Sequence, residues 1–101
     1  MPRTVIVRYT TRPEAANENQ HLIERVYAEL ASADPGGLRY ATFRLADGVS
    51  FVHIGVVEGD TNPLDRTAAF AEFTRDIDQR SLEPPLATHA TLVGAYRFFA
   101  S

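Results

Sequence analysis

The chain reads as an α+β protein of ferredoxin-like plan, βαββαβ, with an antiparallel four-stranded sheet and two helices on one face. Three observations predict it. Residues 4–10 alternate as a strand does, and an apolar stripe at helical spacing follows them until a cluster of breakers at Asp34-Pro35-Gly36-Gly37. The pair Asp47-Gly48 marks a hairpin between two further strands. Asn62-Pro63 then opens a second helix, and a last strand ends the chain.

In the first strand Val5, Val7 and Tyr9 alternate with Ile6 and Arg8. Pro13 suits the first turn of a helix expected over residues 13–33, in which Leu22, Ile23, Val26 and Leu30 form the apolar stripe. One or two turns back from Ile23 and Val26, the same stripe carries Ala15 and Asn19, so Asn19 should point inward. A core-facing amide costs about 1–3 kcal/mol unless it is partnered. Its partner is then a buried backbone group, an ordered water or a ligand.

Leu38 to Ala46 and Val49 to Val57 are the second and third strands, joined by a two-residue type I′ turn. That turn pairs Ala46 with Val49, and counting outward aligns Arg44 with Phe51, Thr42 with His53 and Tyr40 with Gly55. Phe43, Ala41, Val52, Ile54 and Val56 fall on the opposite face, which is uniformly apolar and is expected beneath the helices. The first face mixes Leu38, Phe51 and Val57 with Tyr40, Thr42, Arg44 and His53. Its character is that of an interface.

After Gly59-Asp60-Thr61, Asn62 caps the second helix, Pro63 takes its first position and Asp65 favours its positive end. Phe70, Phe73 and Ile77 make the buried stripe. Leu82-Glu83-Pro84-Pro85-Leu86 must run extended, and the last strand is expected over about 88 to 98. Such a sheet leaves one face bare, exposing more apolar surface than the few hundred Å² typical of a soluble monomer. A two-fold homodimer is therefore expected, with sheets face to face and Arg97, Phe98 and Phe99 reaching the partner.

At 101 residues the chain is expected to be one domain with a small core. No apolar run approaches the roughly twenty residues of a membrane span, and Met1 to Thr10 lacks the pattern of a signal peptide, so a cytoplasmic location and no membrane partner are expected. A net charge of −3 without a basic cluster argues against nucleic acid. All ten basic residues are Arg, and there is no Cys. Schiff-base chemistry, thiolate nucleophiles, iron–sulfur ligation and disulfides are thereby excluded. Without Trp, an aromatic platform must come from Phe and Tyr. No Gly-rich phosphate loop occurs, and no cofactor is expected.

Asn19 is a candidate site residue or a structural amide tying the helix to a neighbouring carbonyl. His53 sits mid-strand with Thr42 opposite and Tyr40 nearby. It is a general base near neutrality or a hydrogen-bonded interface histidine. Tyr9, Tyr40 and Tyr96 would orient and stack on a phenolic ligand, or serve as core and dimer residues. Arg8 and Arg44 suit a ligand carboxylate or an acidic residue across the dimer. His21, His53 and His89 lie in separate elements without ligand spacing, so no metal site is expected.

Val5-Ile6-Val7-Arg8-Tyr9, the hairpin around Asp47-Gly48, Phe51-Val52-His53-Ile54, Asn62-Pro63-Leu64 and Gly94-Ala95-Tyr96-Arg97-Phe98 together resemble the dimeric α+β barrel proteins, in particular the antibiotic-biosynthesis monooxygenase superfamily. The resemblance covers nearly the whole chain and implies a dimeric α+β barrel. Members range from cofactor-free oxygenases acting on polycyclic phenols, through haem-degrading enzymes, to proteins with no known activity. The enzymes commonly use a Trp beside an Asn in the cavity between helices and sheet. This chain has no Trp, and Asn19 on the first helix is not equated with that Asn.

Two readings follow. In the first, a cofactor-independent monooxygenase-like enzyme or an isomerase uses His53 to take a proton from a phenolic or quinone-type compound, while Asn19 and a Tyr hydroxyl stabilise the oxyanion. In the second, the chain is a non-catalytic dimeric module that binds a small apolar ligand or scaffolds.

Overall fold

The computed structural model describes residues 2–98. Strand β1 (Arg3–Thr11) leads through a 3-10 turn (Pro13–Ala15) into helix α1 (Ala16–Ala33). Strands β2 (Leu38–Arg44) and β3 (Ser50–Val57) form the hairpin. A second 3-10 turn (Pro63–Arg66), helices α2 (Ala68–Arg75) and α3 (Ile77–Arg80), and strand β4 (Ser81–Ala90) complete the fold. The sheet order is β2-β3-β1-β4, with each neighbouring pair antiparallel. This is the expected ferredoxin-like arrangement.

Helix α1 runs where its stripe places it, burying Asn19, Leu22, Ile23 and Val26. It stops because Asp34 takes a left-handed conformation (φ 47°) and its N–H returns to the Leu30 carbonyl at 2.7 Å. Pro35 bars continuation. The second helical region is broken at Asp76 rather than continuous, so Phe73 is buried while Phe70 and Ile77 are half-buried. Asn62 caps the 3-10 turn that precedes it, its Oδ1 accepting from the Leu64 N–H at 3.0 Å.

Three expectations need correction. The hairpin keeps its expected register, Arg44 opposite Phe51 and Thr42 opposite His53, but its turn is not type I′. Leu45 N–H bonds the Ser50 carbonyl and Gly48 N–H bonds the Leu45 carbonyl, with Gly48 (φ 80°) left-handed and Asp47 not. The reason is the Asp47 carboxylate, which accepts from the N–H groups of Val49 and Ser50 and from Ser50 Oγ. These bonds also hold its pKa below the usual carboxylate range.

The last strand begins at Ser81, not near residue 88, and ends at Ala90. Pro84 and Pro85 are tolerated because β4 is an edge strand. They also stand in a bulge, since Arg8 pairs with Leu86 and Thr10 with Glu83, leaving both prolines opposite Tyr9. Residues 91–98 are exposed and irregular, so Arg97 and Phe98 lie outside the sheet. Phe99 lies outside the described residues.

The sheet faces are the reverse of the expected ones. Phe51, His53 and Val57 are buried beneath the helices together with Tyr9, whereas Val52, Ile54 and Val56 are half-buried and Phe43 is exposed on the outer face. Size and satisfaction of polar tips outweigh uniform hydrophobicity: the inner face buries the two large rings of Tyr9 and Phe51, and its polar groups find partners there. The core cluster is Tyr9, Leu22, Ile23, Val26, Phe51, Leu64 and Phe73.

Phe73 is the helical residue most engaged with this face, its ring tilted against Tyr9, His53 and Phe70. Phe73→Ala should lower the unfolding free energy by about 3–5 kcal/mol in urea titration. A loss below about 1 kcal/mol would mean that this contact does not hold the helical layer to the sheet.

Candidate functional site

Five elements around the core send polar side chains into the layer between helices and sheet. Tyr9 comes from β1, Asn19 and Tyr27 from α1, Tyr40 and Thr42 from β2, His53 from β3, and Arg80 from the end of α3. They connect in one chain. Arg80 Nε donates to Asn19 Oδ1 at 3.2 Å, and Asn19 Nδ2 donates to the Tyr9 hydroxyl at 2.9 Å. The Tyr9 hydroxyl lies 2.8 Å from His53 Nε2, and the Tyr40 hydroxyl and Thr42 Oγ1 lie 2.6 and 3.1 Å from His53 Nδ1. Thr42 continues to the Tyr27 hydroxyl at 2.8 Å. Among the described residues, no buried side-chain nitrogen or oxygen lacks a partner.

Stacking fixes the rings as firmly as hydrogen bonding fixes their tips. Tyr9 stacks on Phe51 at 5.6 Å between centroids and on His53 at 5.4 Å, while Tyr27 stacks on Tyr40 at 5.3 Å. Beside this cluster runs a cleft of about 370 Å³, lined by Val7, Tyr9, Tyr40, His53, Phe70 and Phe73 among others. Its wall is mostly apolar. Tyr9, Tyr40 and His53, with Asn62 and Thr74, supply its polar character.

Burial governs the electrostatics. It pushes the His53 imidazole down to about 4, because the charged ring would lose its hydration. The same loss pushes the Tyr9 phenol up, against the Asn19 hydrogen bond and the nearby Arg80 charge, and pushes the Tyr40 phenol up as well. All three groups are neutral at pH 7. Proton abstraction favours a pKa close to the working pH, so this burial weighs against His53 as a base near neutrality. The resting site holds oxygen and nitrogen atoms by hydrogen bonds.

The structure brings together Asn19, His53, Tyr9 and Tyr40 of the sequence candidates. Asn19 is fully buried behind Tyr9, so it does not line the cleft, and its partners are the side chains of Tyr9 and Arg80 rather than a carbonyl. Tyr96 stands in the exposed segment after β4, and Arg8 is exposed on the outer face of the sheet. Neither reaches the cleft. Arg44 bonds Asn17, Gln20 and the Gly48 carbonyl and lies over Phe51. His21 and His89 are exposed, and among the described residues no group of three metal-ligating side chains gathers.

Sequence reading missed Tyr27 and Arg80, although spacing marks both. Asn19, Ile23 and Tyr27 recur every four residues along α1, and Phe73, Ile77 and Arg80 continue one stripe across the α2–α3 break. Polar ends hid them.

A neutral, buried His53 has a measurable signature. Between about pH 6.5 and about pH 4 the unfolded imidazole takes up a proton that the native one refuses, so stability falls as pH falls through that window. The slope contributed is at most about 1.4 kcal/mol per pH unit, and above pH 6.5 the contribution is flat. Urea titrations at stepped pH should show this slope in the parent chain and its loss in His53→Gln. Identical pH profiles would mean that His53 titrates freely when folded.

No protein-family model matches the chain, and no curated protein does. Solved structures do match. Rv0793 from Mycobacterium tuberculosis superposes with a TM-score of 0.74 at 19% identity, covering 94% of this chain and 98% of that one. A protein from Nitrosomonas europaea described as an antibiotic biosynthesis monooxygenase gives 0.73 at 15% identity, covering 91% of this chain and 90% of that one. SnoaB, a cofactor-independent oxygenase from Streptomyces nogalater, gives 0.66 at 21% identity, covering 93% and 95%. The chain thus shares the ferredoxin-like α+β fold of these solved structures, among them proteins described as antibiotic biosynthesis monooxygenases.

Proposed function

We propose that this protein is a homodimeric small-molecule-binding protein whose cleft takes a planar aromatic compound of phenolic or quinone type. The observation that carries this reading is the mostly apolar cleft of about 370 Å³ with Tyr9, Tyr40 and His53 on its wall. Aromatic rings line it for stacking, and the Tyr–His cluster offers hydrogen bonds to a ligand oxygen. Asn19 acts from behind, by holding the Tyr9 hydroxyl.

The outer sheet face supports the dimer. Ile6, Val52, Ile54 and Val56 share it by register with Leu86, which is 70% exposed. A second copy laid on this face would cover it. Sedimentation equilibrium is expected to give twice the mass of one chain, and Ile54→Asp is expected to give one.

A second reading, turnover by cofactor-independent oxygenation, is favoured by the fold shared with SnoaB, described as a cofactor-independent oxygenase. Against His53 as its base stands the depressed pKa. The binding reading needs no such base.

Thermal shift against naphthols, naphthoquinones and larger polycyclic analogues separates the possibilities. A compound that occupies the cleft at 100 times its Kd stabilises the fold by about 2.7 kcal/mol. Val7→Phe, which fills the cleft, should abolish the shift while leaving near-ultraviolet circular dichroism intact. Consumption of oxygen by a shifting compound would establish turnover. If no compound shifts the melting temperature, or if Val7→Phe leaves the shift in place, this assignment of the cleft fails.

A further inference from the structure

Arg80 is an unusual core residue: it is 7% exposed, and among the described residues no carboxylate pairs with it. Its charge is met by the Phe73 carbonyl at Nη2, by Asn19 Oδ1 at Nε, and by the face of the Phe73 ring, 5.5 Å from its Cζ. A guanidinium has donors and no acceptor. Whatever bonds to it must present a lone pair, and that requirement propagates.

Asn19 must turn its oxygen to Arg80, which leaves its amide nitrogen facing the Tyr9 hydroxyl. That nitrogen only donates, so the Tyr9 oxygen accepts. Tyr9 must then place its own proton elsewhere, and the acceptor within reach is His53 Nε2 at 2.8 Å. A neutral imidazole accepting at Nε2 carries its proton on Nδ1. Nδ1–H then donates to the Tyr40 hydroxyl at 2.6 Å, with Thr42 Oγ1 at 3.1 Å as the weaker alternative.

We infer that Arg80 is a positioning residue: acting through Asn19 and Tyr9, it sets the direction of the hydrogen bonds that run from Asn19 to His53 and locks His53 in the Nδ1–H tautomer. Arg80 lines no part of the cleft. It determines from a distance which atoms of the Tyr–His cluster give protons and which receive them. The inference goes beyond the binding reading and stands in the absence of any ligand.

Long-range proton–nitrogen NMR correlation on uniformly labelled protein reads the tautomer directly, with His53 assigned by its disappearance in His53→Gln. The parent chain should show a pyrrole-type Nδ1 and a pyridine-type Nε2. Asn19→Asp replaces the donating nitrogen by an accepting oxygen of the same shape. Tyr9 then gives its proton to that carboxylate, accepts from His53 Nε2–H, and the tautomer reverses. A merely structural amide would produce no such reversal.

Two variants at the head of the chain act independently of Asn19. Arg80→Lys keeps a donor-only group and should retain the Nδ1–H form, whereas Arg80→Gln, whose amide presents oxygen as readily as nitrogen, should show both forms. A parent chain with its proton on Nε2 would overturn the inference, as would a folded Asn19→Asp or Arg80→Gln that keeps the parent tautomer. The measurement uses no small molecule, so a failed ligand screen leaves its outcome untouched.

Discussion

The phenol of Tyr9 is the constraint from which the interior is built. It sits on the central strand pair, 2% exposed, with its ring between those of Phe51 and His53 and its hydroxyl between an amide from α1 and an imidazole from β3. An unpartnered hydroxyl at such a depth costs about 1–3 kcal/mol, and so does each group that it leaves unpaired. Helix, strand and imidazole must therefore meet at one point. The apolar packing of Leu22, Ile23, Val26 and Phe73 supplies attraction without direction, whereas the Tyr9 hydroxyl specifies register and angle.

This constraint also explains which face of the sheet turns inward. By hydrophobicity alone Phe43, Val52, Ile54 and Val56 are the better core, and a reader of the sequence chooses them. The inner face instead combines the largest rings with polar tips that satisfy one another, and such a network can be recognised only once Asn19, Tyr27 and Arg80 are known to face it. Partners distant in sequence decide the matter. His53 and Arg80 are far apart along the chain, and no local pattern announces that they share a network.

Much of the rest was legible because its causes are local. The inward direction of Asn19 follows from the spacing of Leu22, Ile23 and Val26, and the strand register follows from the position of the hairpin, even though the turn itself differs. The turn differs because the Asp47 side chain competes for the backbone N–H groups, a contest that a residue-pair rule does not weigh. The last strand was misplaced for a related reason. Pro84-Pro85 forbids a central strand, yet β4 is an edge, and edge position depends on the assembled sheet.

We propose that the cleft beside the Tyr–His cluster recognises an aromatic oxygen function, and the fold is shared with proteins described as monooxygenases. All of this presupposes that the Tyr9 hydroxyl joins α1 to β3. The direct measurement is the unfolding free energy of Tyr9→Phe, which removes one oxygen atom and keeps the ring. A loss of about 2 kcal/mol or more is expected, because Asn19 Nδ2 and His53 Nε2 both lose the hydroxyl that partners them. A Tyr9→Phe chain as stable as its parent would show that the interior does not depend on this bond.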